Sequence, residues 1–284
     1  MDKKKKAIII GAVAAITVAA VGVGLFELQK FYKTVDYTTA KVADIMKAET
    51  HLVAHRGFRA VAPENTLPAF EEAGKAGFWG NECDIYRTAD GVWVVHHDYN
   101  TFRMMNAVKN IEKCTYEELL ELSTNNGHNI EQYEDLKICT FEEYLEVCRR
   151  FNMNAFIELK SKKNTEYYDE VTALVEKYGV TPTYISFQLD NLKKIRELDK
   201  EAQLLFIVDE ISDKAIEEAK SIDNCGIDFG VDEAVNFEND CELIKKCTAA
   251  GLPLGAWAVD DTKTMKTLVD LGVKYITTDC LTEY

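Results

Sequence analysis

The chain has 284 residues, 47% of them hydrophobic and 29% charged, with 4 prolines and 15 glycines. These proportions suit one large domain or two small ones and leave no room for a long collagen-like or disordered region. A formal net charge of −15 repels a phosphate backbone and argues against a general nucleic-acid binder, while serving solubility and cation binding equally well.

Lys3 to Lys6 form a basic cluster, and Ala7 to Phe26 then run for 20 residues with Thr17 as the one clearly polar side chain. About 20 apolar residues span a bilayer as a helix, and the basic flank (residues 1–6) belongs in the cytoplasm. A cleaved signal peptide is the rival, since Ala12 to Ala20 offers small residues. The apolar run continues through Val21, Val23, Leu25 and Phe26, beyond the about 7–15 residues of a signal-peptide core. The expectation is therefore a transmembrane anchor over 7–26, with the bulk of the chain extracytoplasmic, or secreted if the segment is cleaved. Residues 27–50 are polar and charged with scattered Val, Ile and Met, and read as a stalk or a helix leading into a domain over 51–284.

Beyond residue 51, strand-like runs alternate with amphipathic ones. Leu52–Ala54 precedes a helical Thr66–Ala76, and Phe78–Asp84 leads to a hairpin turning at Ala89-Asp90-Gly91. Tyr99–Leu136 breaks the rhythm as an insertion. Phe141–Arg149 then reads as helix, followed by strands at Ala155–Leu159, Tyr184–Phe187, Leu204–Val208, Gly226–Phe229, Leu254–Val259 and Tyr275–Thr278, separated by helical stretches. Eight strand-like runs over about 235 residues predict an α/β fold, a closed (β/α)8 TIM barrel with a small insertion after the second strand. The 8 cysteines include no CxxC pair, which argues against a structural zinc site. Cys83, Cys139, Cys148 and Cys247 lie in apolar runs and read as free, buried thiols.

Chemistry concentrates at strand ends. Glu82 and Asp84 are i and i+2 on one strand, so they share a face, with Cys83 turned the other way. Near the C-terminal end of a barrel strand, where barrel active sites sit, two such carboxylates repel unless a cation or proton lies between them. Ca²⁺ or Mg²⁺ is the natural occupant, although an exposed acidic pair would carry the same spelling. His55 ends the first strand and His96-His97 ends the hairpin. Imidazole suits general acid and base work near neutral pH, and strand alternation admits only one of His96 and His97 to a shared site. Glu158 and Lys160 again share a face, offering a third carboxylate and a phosphate contact, or a simple ion pair. Arg56 is either a phosphate clamp or the partner of Glu64.

The succession His55-Arg56-Gly57, Pro63-Glu64-Asn65-Thr66, Glu82-Cys83-Asp84, Thr88-Ala89-Asp90-Gly91 and His97-Asp98 resembles the glycerophosphodiester phosphodiesterase family. Ile157-Glu158-Leu159-Lys160, Trp257 and Ile276-Thr277-Thr278-Asp279 extend the likeness across residues 51 to 280. The resemblance implies a (β/α)8 barrel, agreeing with the rhythm above. It implies His55 and His97 as the acid–base pair, and Glu82, Asp84 and Glu158 as ligands of one divalent cation, Ca²⁺ or Mg²⁺. Arg56 and Lys160 would contact the phosphate, Glu64 would support the site, and Trp257 would line the glycerol side. The chain departs from the family pattern at Asn81, Cys139 and Cys280, which touch loop shape and substrate preference rather than the catalytic groups. The expected reaction is metal-dependent hydrolysis of a small glycerophosphodiester to glycerol 3-phosphate and an alcohol. The alternative is a lysophospholipase D-like or sphingomyelinase D-like enzyme acting on lipid. A catalytically dead barrel would lack one of His55, His97, Glu82 or Asp84, and no G-x-G-x-x-G or P-loop suggests a nucleotide enzyme.

Overall fold

A computed structural model describes residues 37–231 and 237–283. The apolar segment 7–26 and its basic flank lie outside these residues. Among the described residues, no helix is long and apolar enough to cross a membrane.

The elements in chain order are β1 (Ala40–Lys41), β2 (His51–Ala54), α1 (Leu67–Lys75), β3 (Gly80–Arg87), β4 (Trp93–Val95), α2 (Tyr116–Leu120), α3 (Phe141–Phe151) and β5 (Asn154–Leu159). They continue with α4 (Tyr168–Tyr178), β6 (Pro182–Ser186), α5 (Leu189–Leu198), β7 (Gln203–Val208), α6 (Asp213–Lys220), β8 (Cys225–Gly230), α7 (Phe237–Ala249), β9 (Leu254–Trp257), α8 (Thr262–Asp270), β10 (Tyr275–Thr278) and β11 (Leu281–Thr282). The strands β2, β3 and β5–β10 pair in parallel, and β2 pairs with both β10 and β3, which closes the barrel. This is the (β/α)8 architecture expected from the alternation of apolar runs. The hairpin strand β4 lies antiparallel on β3, with Ile85 opposite Val95.

Side-chain alternation divides the core in two. Val53, Phe156, Ile185, Leu205, Ile207 and Tyr275 point inward and fill the barrel. Their strand neighbours, among them Cys83, Ile85, Ala155, Ile157 and Leu204, point outward and pack with Phe70, Tyr144, Leu192 and Ile216 of the helices. Most barrel-strand residues are thus buried on one side or the other, which is why these strands read as continuous apolar runs. The cysteines follow this pattern. All eight are free, and Cys83, Cys139, Cys148 and Cys247 are buried.

Helix starts are written locally. Thr66 caps α1 by accepting from the Ala69 N–H, and Thr140 with Glu143 forms a capping box at α3, satisfying amides that would otherwise lack partners. Met104, Met105, Ile111, Leu119 and Leu122 of the insertion form a small core with Tyr86 and Val94 of the hairpin and with Ile138. The insertion is therefore a folded lobe rather than a loose loop.

The segment read as a stalk differs from that expectation over its described part. Residues 40–41 form β1, paired in parallel with β11, and Val42 is buried in the main core. A two-residue strand carries no periodicity of its own, so its docking rests on contacts with the far end of the chain.

Candidate active site

The site lies at the C-terminal end of the barrel strands. At the end of β2 the chain turns sharply. Arg56 has φ 54° and Gly57 φ 81°, and a Cβ on Gly57 would stand 2.6 Å from Ala69 Cβ, so α1 packs where a side chain would be. Holding an arginine in the left-handed region is costly. Here it aims the Arg56 N–H at Glu82 Oε2, 2.7 Å away.

Glu82 and Asp84 on β3 and Glu158 on β5 face inward together. Each offers an oxygen within 4.8 Å of the others, and all three are buried. Lys160 follows Glu158 onto the same face, with Nζ 2.8 Å from Glu158 Oε1 and 3.1 Å from Asp84 Oδ1. Asn65 Nδ2 donates to Asp84 Oδ2 at 2.7 Å. Burial and the charges of Asp84 and Glu158 push Glu82 well above the ordinary carboxylate range. Burial and Asp84 likewise push Glu158 up to about 7, against the pull of Lys160. Burial also disfavours charge on Asp84, but Lys160, His97 and Arg56 together hold it well below its usual value. Lys160 and Arg56 do not balance three buried carboxylates, the more so as Arg56 is shared with Glu64, and a three-oxygen donor set of this kind fits a hard divalent cation.

Both histidines are backed by carboxylates. His55 Nδ1 lies 2.7 Å from Asp279 Oδ1, and His97 Nδ1 lies 2.8 Å from Asp98 Oδ1. An acceptor at Nδ1 keeps the proton there and leaves Nε2 as the free nitrogen. Burial raises the cost of charge on both acids, yet Asp279 is held at about 2 by His55, Arg59 and Tyr37, and Asp98 at about 2 by His97 and Arg103. Burial lowers His55 below its ordinary value, against the pull of Asp279. His96 turns away, its Nδ1 2.9 Å from the Asp98 carbonyl oxygen, as the alternation of β4 requires.

A cavity of about 90 Å³ is lined by His55, Arg56, Glu82, His97 and Glu158 on one side. Ile185, Phe187, Ile207, Asp228, Trp257 and Thr277 complete it. The structure thus gathers His55, His97, Arg56, Glu82, Glu158 and Trp257 around one space, with Asp84 and Lys160 immediately behind. Glu64 is placed differently. It does not line the cavity, but receives Arg56 Nη1 at 2.9 Å, Arg59 Nη2 at 2.9 Å and Arg103 Nη2 at 2.6 Å. Three guanidinium groups hold its carboxyl well below the usual range despite burial. Its role in this geometry is to fix Arg56.

Sequence reading missed several participants. Asp279 lay in a quoted motif without a role, and Asp98 sat beside His97 without one. Arg103 arrives from the insertion and joins Asp98 to Glu64. Asp228 projects into the cavity with Oδ1 unpartnered, and burial with the charge of Glu158 raises it to about 8. Inward alternation on β8 was the available signal for Asp228. The others depend on contacts distant in sequence.

Residues 55–282 match the model of the glycerophosphoryl diester phosphodiesterase family. The chain is 28% identical over 182 residues to human glycerophosphodiester phosphodiesterase 1, covering 62% of this chain and 55% of that protein. It spans about half the length of the mammalian relatives it matches. A glycerophosphodiester phosphodiesterase of Bacillus subtilis is 27% identical over 251 residues, covering 80% of this chain and 82% of that one. Among solved structures, a glycerophosphodiester phosphodiesterase from Parabacteroides distasonis superposes with a TM-score of 0.68 at 30% identity, over 82% of this chain and 94% of that one. A phosphodiesterase from Oleispira antarctica, solved with the product sn-glycerol-3-phosphate, shares the fold with a TM-score of 0.72 at 23% identity, over 81% and 92% of the two chains.

Proposed function

The chain belongs to the glycerophosphoryl diester phosphodiesterase family, and from that premise we propose that it hydrolyses glycerophosphodiesters to glycerol 3-phosphate and an alcohol. The observation that carries the reading is the pairing of two carboxylate-backed imidazoles, His55 and His97, around a cavity walled by Glu82 and Glu158. A divalent cation, Ca²⁺ or Mg²⁺, held by Glu82, Asp84 and Glu158 would supply charge neutralisation and orientation of the phosphodiester.

The residues of the chain do the rest. Arg56 lines the cavity and its guanidinium is fixed by Glu64, where a planar fork would suit a phosphate oxygen. Lys160 adds positive charge behind Glu158 and Asp84. One imidazole Nε2 takes the proton of the glycerol hydroxyl next to the phosphate, and that oxygen attacks phosphorus. The other imidazole gives its proton to the departing alcohol oxygen. Water then opens the cyclic glycerophosphate with the two roles exchanged. The carboxylates at the two Nδ1 positions stabilise each ring when it carries the extra proton, as in other histidine–carboxylate pairs. Trp257 and Phe187 wall the side where the organic part of the substrate would lie.

The test is product identity. Incubated with glycerophosphocholine and a divalent cation, the enzyme releases glycerol 3-phosphate, read by ³¹P NMR. Release of phosphocholine, or turnover confined to lysolipids, would set the reading aside in favour of a different head-group phosphodiesterase. We also propose that residues 7–26 anchor the chain, with the barrel extracytoplasmic. The basic Lys3–Lys6 flank and the length of the apolar run support this.

A further inference from the structure

Among the described residues that precede the barrel, Tyr37 reaches the active site. Tyr37 lies well before residue 55, where the family match begins. Strand β1 starts three residues later, and Ala40 pairs with Leu281 on β11. This pairing places Tyr37 beside Asp279, which sits between β10 and β11.

The contact is specific. Tyr37 Oη donates to Asp279 Oδ2 at 2.6 Å, while Asp279 Oδ1 faces His55 Nδ1 at 2.7 Å. Arg59 Nη1 stands 3.6 Å from the same Oδ1, and its guanidinium lies 5.6 Å over the Tyr37 ring. Asp260 Oδ1 accepts the Asp279 N–H at 2.7 Å. Rotation about the bond to a carboxyl group is broad and lightly restrained. An aspartate tied through one oxygen can turn, and one tied through both holds a single plane. Asp279 is tied through both, and Tyr37 is the side chain that hydrogen-bonds the oxygen away from His55.

We propose that Tyr37 is a positioning residue for the reaction, acting through Asp279 to fix the imidazole of His55, so that the active site is complete only with the pre-barrel segment docked on β11. The inference rests on the reading of His55 as an acid–base group. It makes the described stretch from Tyr37 to Lys41 part of the catalytic architecture.

The test is Tyr37→Phe in the full chain, which keeps the ring and removes the hydroxyl. Tyr178→Phe is the control, because it removes one hydroxyl bond to a carboxylate, Glu142 at 3.0 Å, on the outer helices. The expected result is a fall in kcat of about tenfold or more, the scale of one lost hydrogen bond to a charged group. KM and melting temperature stay at the control's values. Nitrogen NMR of the imidazoles gives a readout that does not need turnover. The Nδ1 resonance of His55 shifts, and those of the other four of the 5 histidines do not. Unchanged kcat, a kcat loss without a change at His55, or a loss that follows a lowered melting temperature each overturns the inference. If the wild type hydrolyses no glycerophosphodiester, the proposed function fails on its own, and the His55 resonance still decides the role of Tyr37.

Discussion

Replacing Asp279 by Asn changes one oxygen to an amide and little of the shape, so its consequences follow from the His55 contact. The wild-type carboxylate is 7% exposed, held at about 2, and therefore ionised throughout the neutral range. It fixes the His55 proton on Nδ1 and leaves Nε2 to accept one. An asparagine amide turned toward Nδ1 offers a donor instead, moves the ring proton to Nε2, and disables the base. It also removes the negative charge that stabilises the imidazolium. General acid–base catalysis contributes about 10²–10⁴-fold, which is about 2.7–5.4 kcal/mol in the barrier. We expect kcat for glycerol 3-phosphate release to fall within that range, with KM little changed, because Asp279 touches His55 rather than the cavity. Stability should fall as well. A carboxyl held about 2 units below its ordinary value contributes on the order of 2–3 kcal/mol. The sign is that of a depressed acid: the contribution is present above pH 4 and is lost as pH falls toward 2. Asp279→Asn should therefore lie below the wild type at neutral pH and converge with it in acid. A variant keeping kcat within about threefold of the wild type would show that the contact does not set the state of His55.

Other perturbations test neighbouring parts of the site. In chelator, Lys160→Met should lower the melting temperature by about 6–20 °C, since unpairing a buried charge costs about 3–5 kcal/mol and each kcal/mol moves Tm by about 2–4 °C in a chain of this size. Added Ca²⁺ or Mg²⁺ should restore more to the variant than it adds to the wild type, and a lysine variant as stable as the wild type would contradict the charge balance drawn for Glu158 and Asp84. Asp228→Asn should stabilise the fold. An acid raised from 3.8 to about 8 destabilises progressively between those values, so the advantage of the variant, measured by denaturant titration, should be absent below pH 4, grow by roughly 1.4 kcal/mol per pH unit at most, and level off above pH 8. A pH-independent difference would refute that account. Glu64→Gln should loosen Arg56, Arg59 and Arg103 together and cost about 3–5 kcal/mol, with KM raised more than kcat is lowered.

The barrel was legible because its strands are buried on both sides and so appear as uninterrupted apolar runs. Glu82, Asp84 and Glu158 stood out against those runs, as carboxylates at positions where alternation points inward. The choice of His97 over His96 followed from the same period of two, together with the family resemblance. The placement of Glu64 was legible only in part: its pairing with Arg56 was among the readings, whereas Arg59 and Arg103 were not. Its neighbour in sequence, Asn65, does touch Asp84, but the carboxylate itself turns to three arginines, one of them 39 residues away. Asp279 and His55 are 224 residues apart, and Tyr37 and Asp279 are 242 apart. Periodicity tells which face a side chain takes and is silent on which partner closes over it. The same reason hid β1. Two residues paired to the end of the chain look, in sequence, like a polar stalk.

The central claim is that His55 and His97 move protons to and from the glycerol hydroxyl and the leaving alcohol of a phosphodiester that a divalent cation would hold at the acidic cluster. It is tested most directly by the turnover of glycerophosphocholine by His97→Ala, measured as glycerol 3-phosphate released at saturating Ca²⁺ or Mg²⁺ against a chelated blank. The account predicts a folded barrel with the melting behaviour of the wild type and a loss of at least about 10²-fold in kcat. Wild-type turnover by His97→Ala, or turnover by the native enzyme that persists undiminished in chelator, would contradict it.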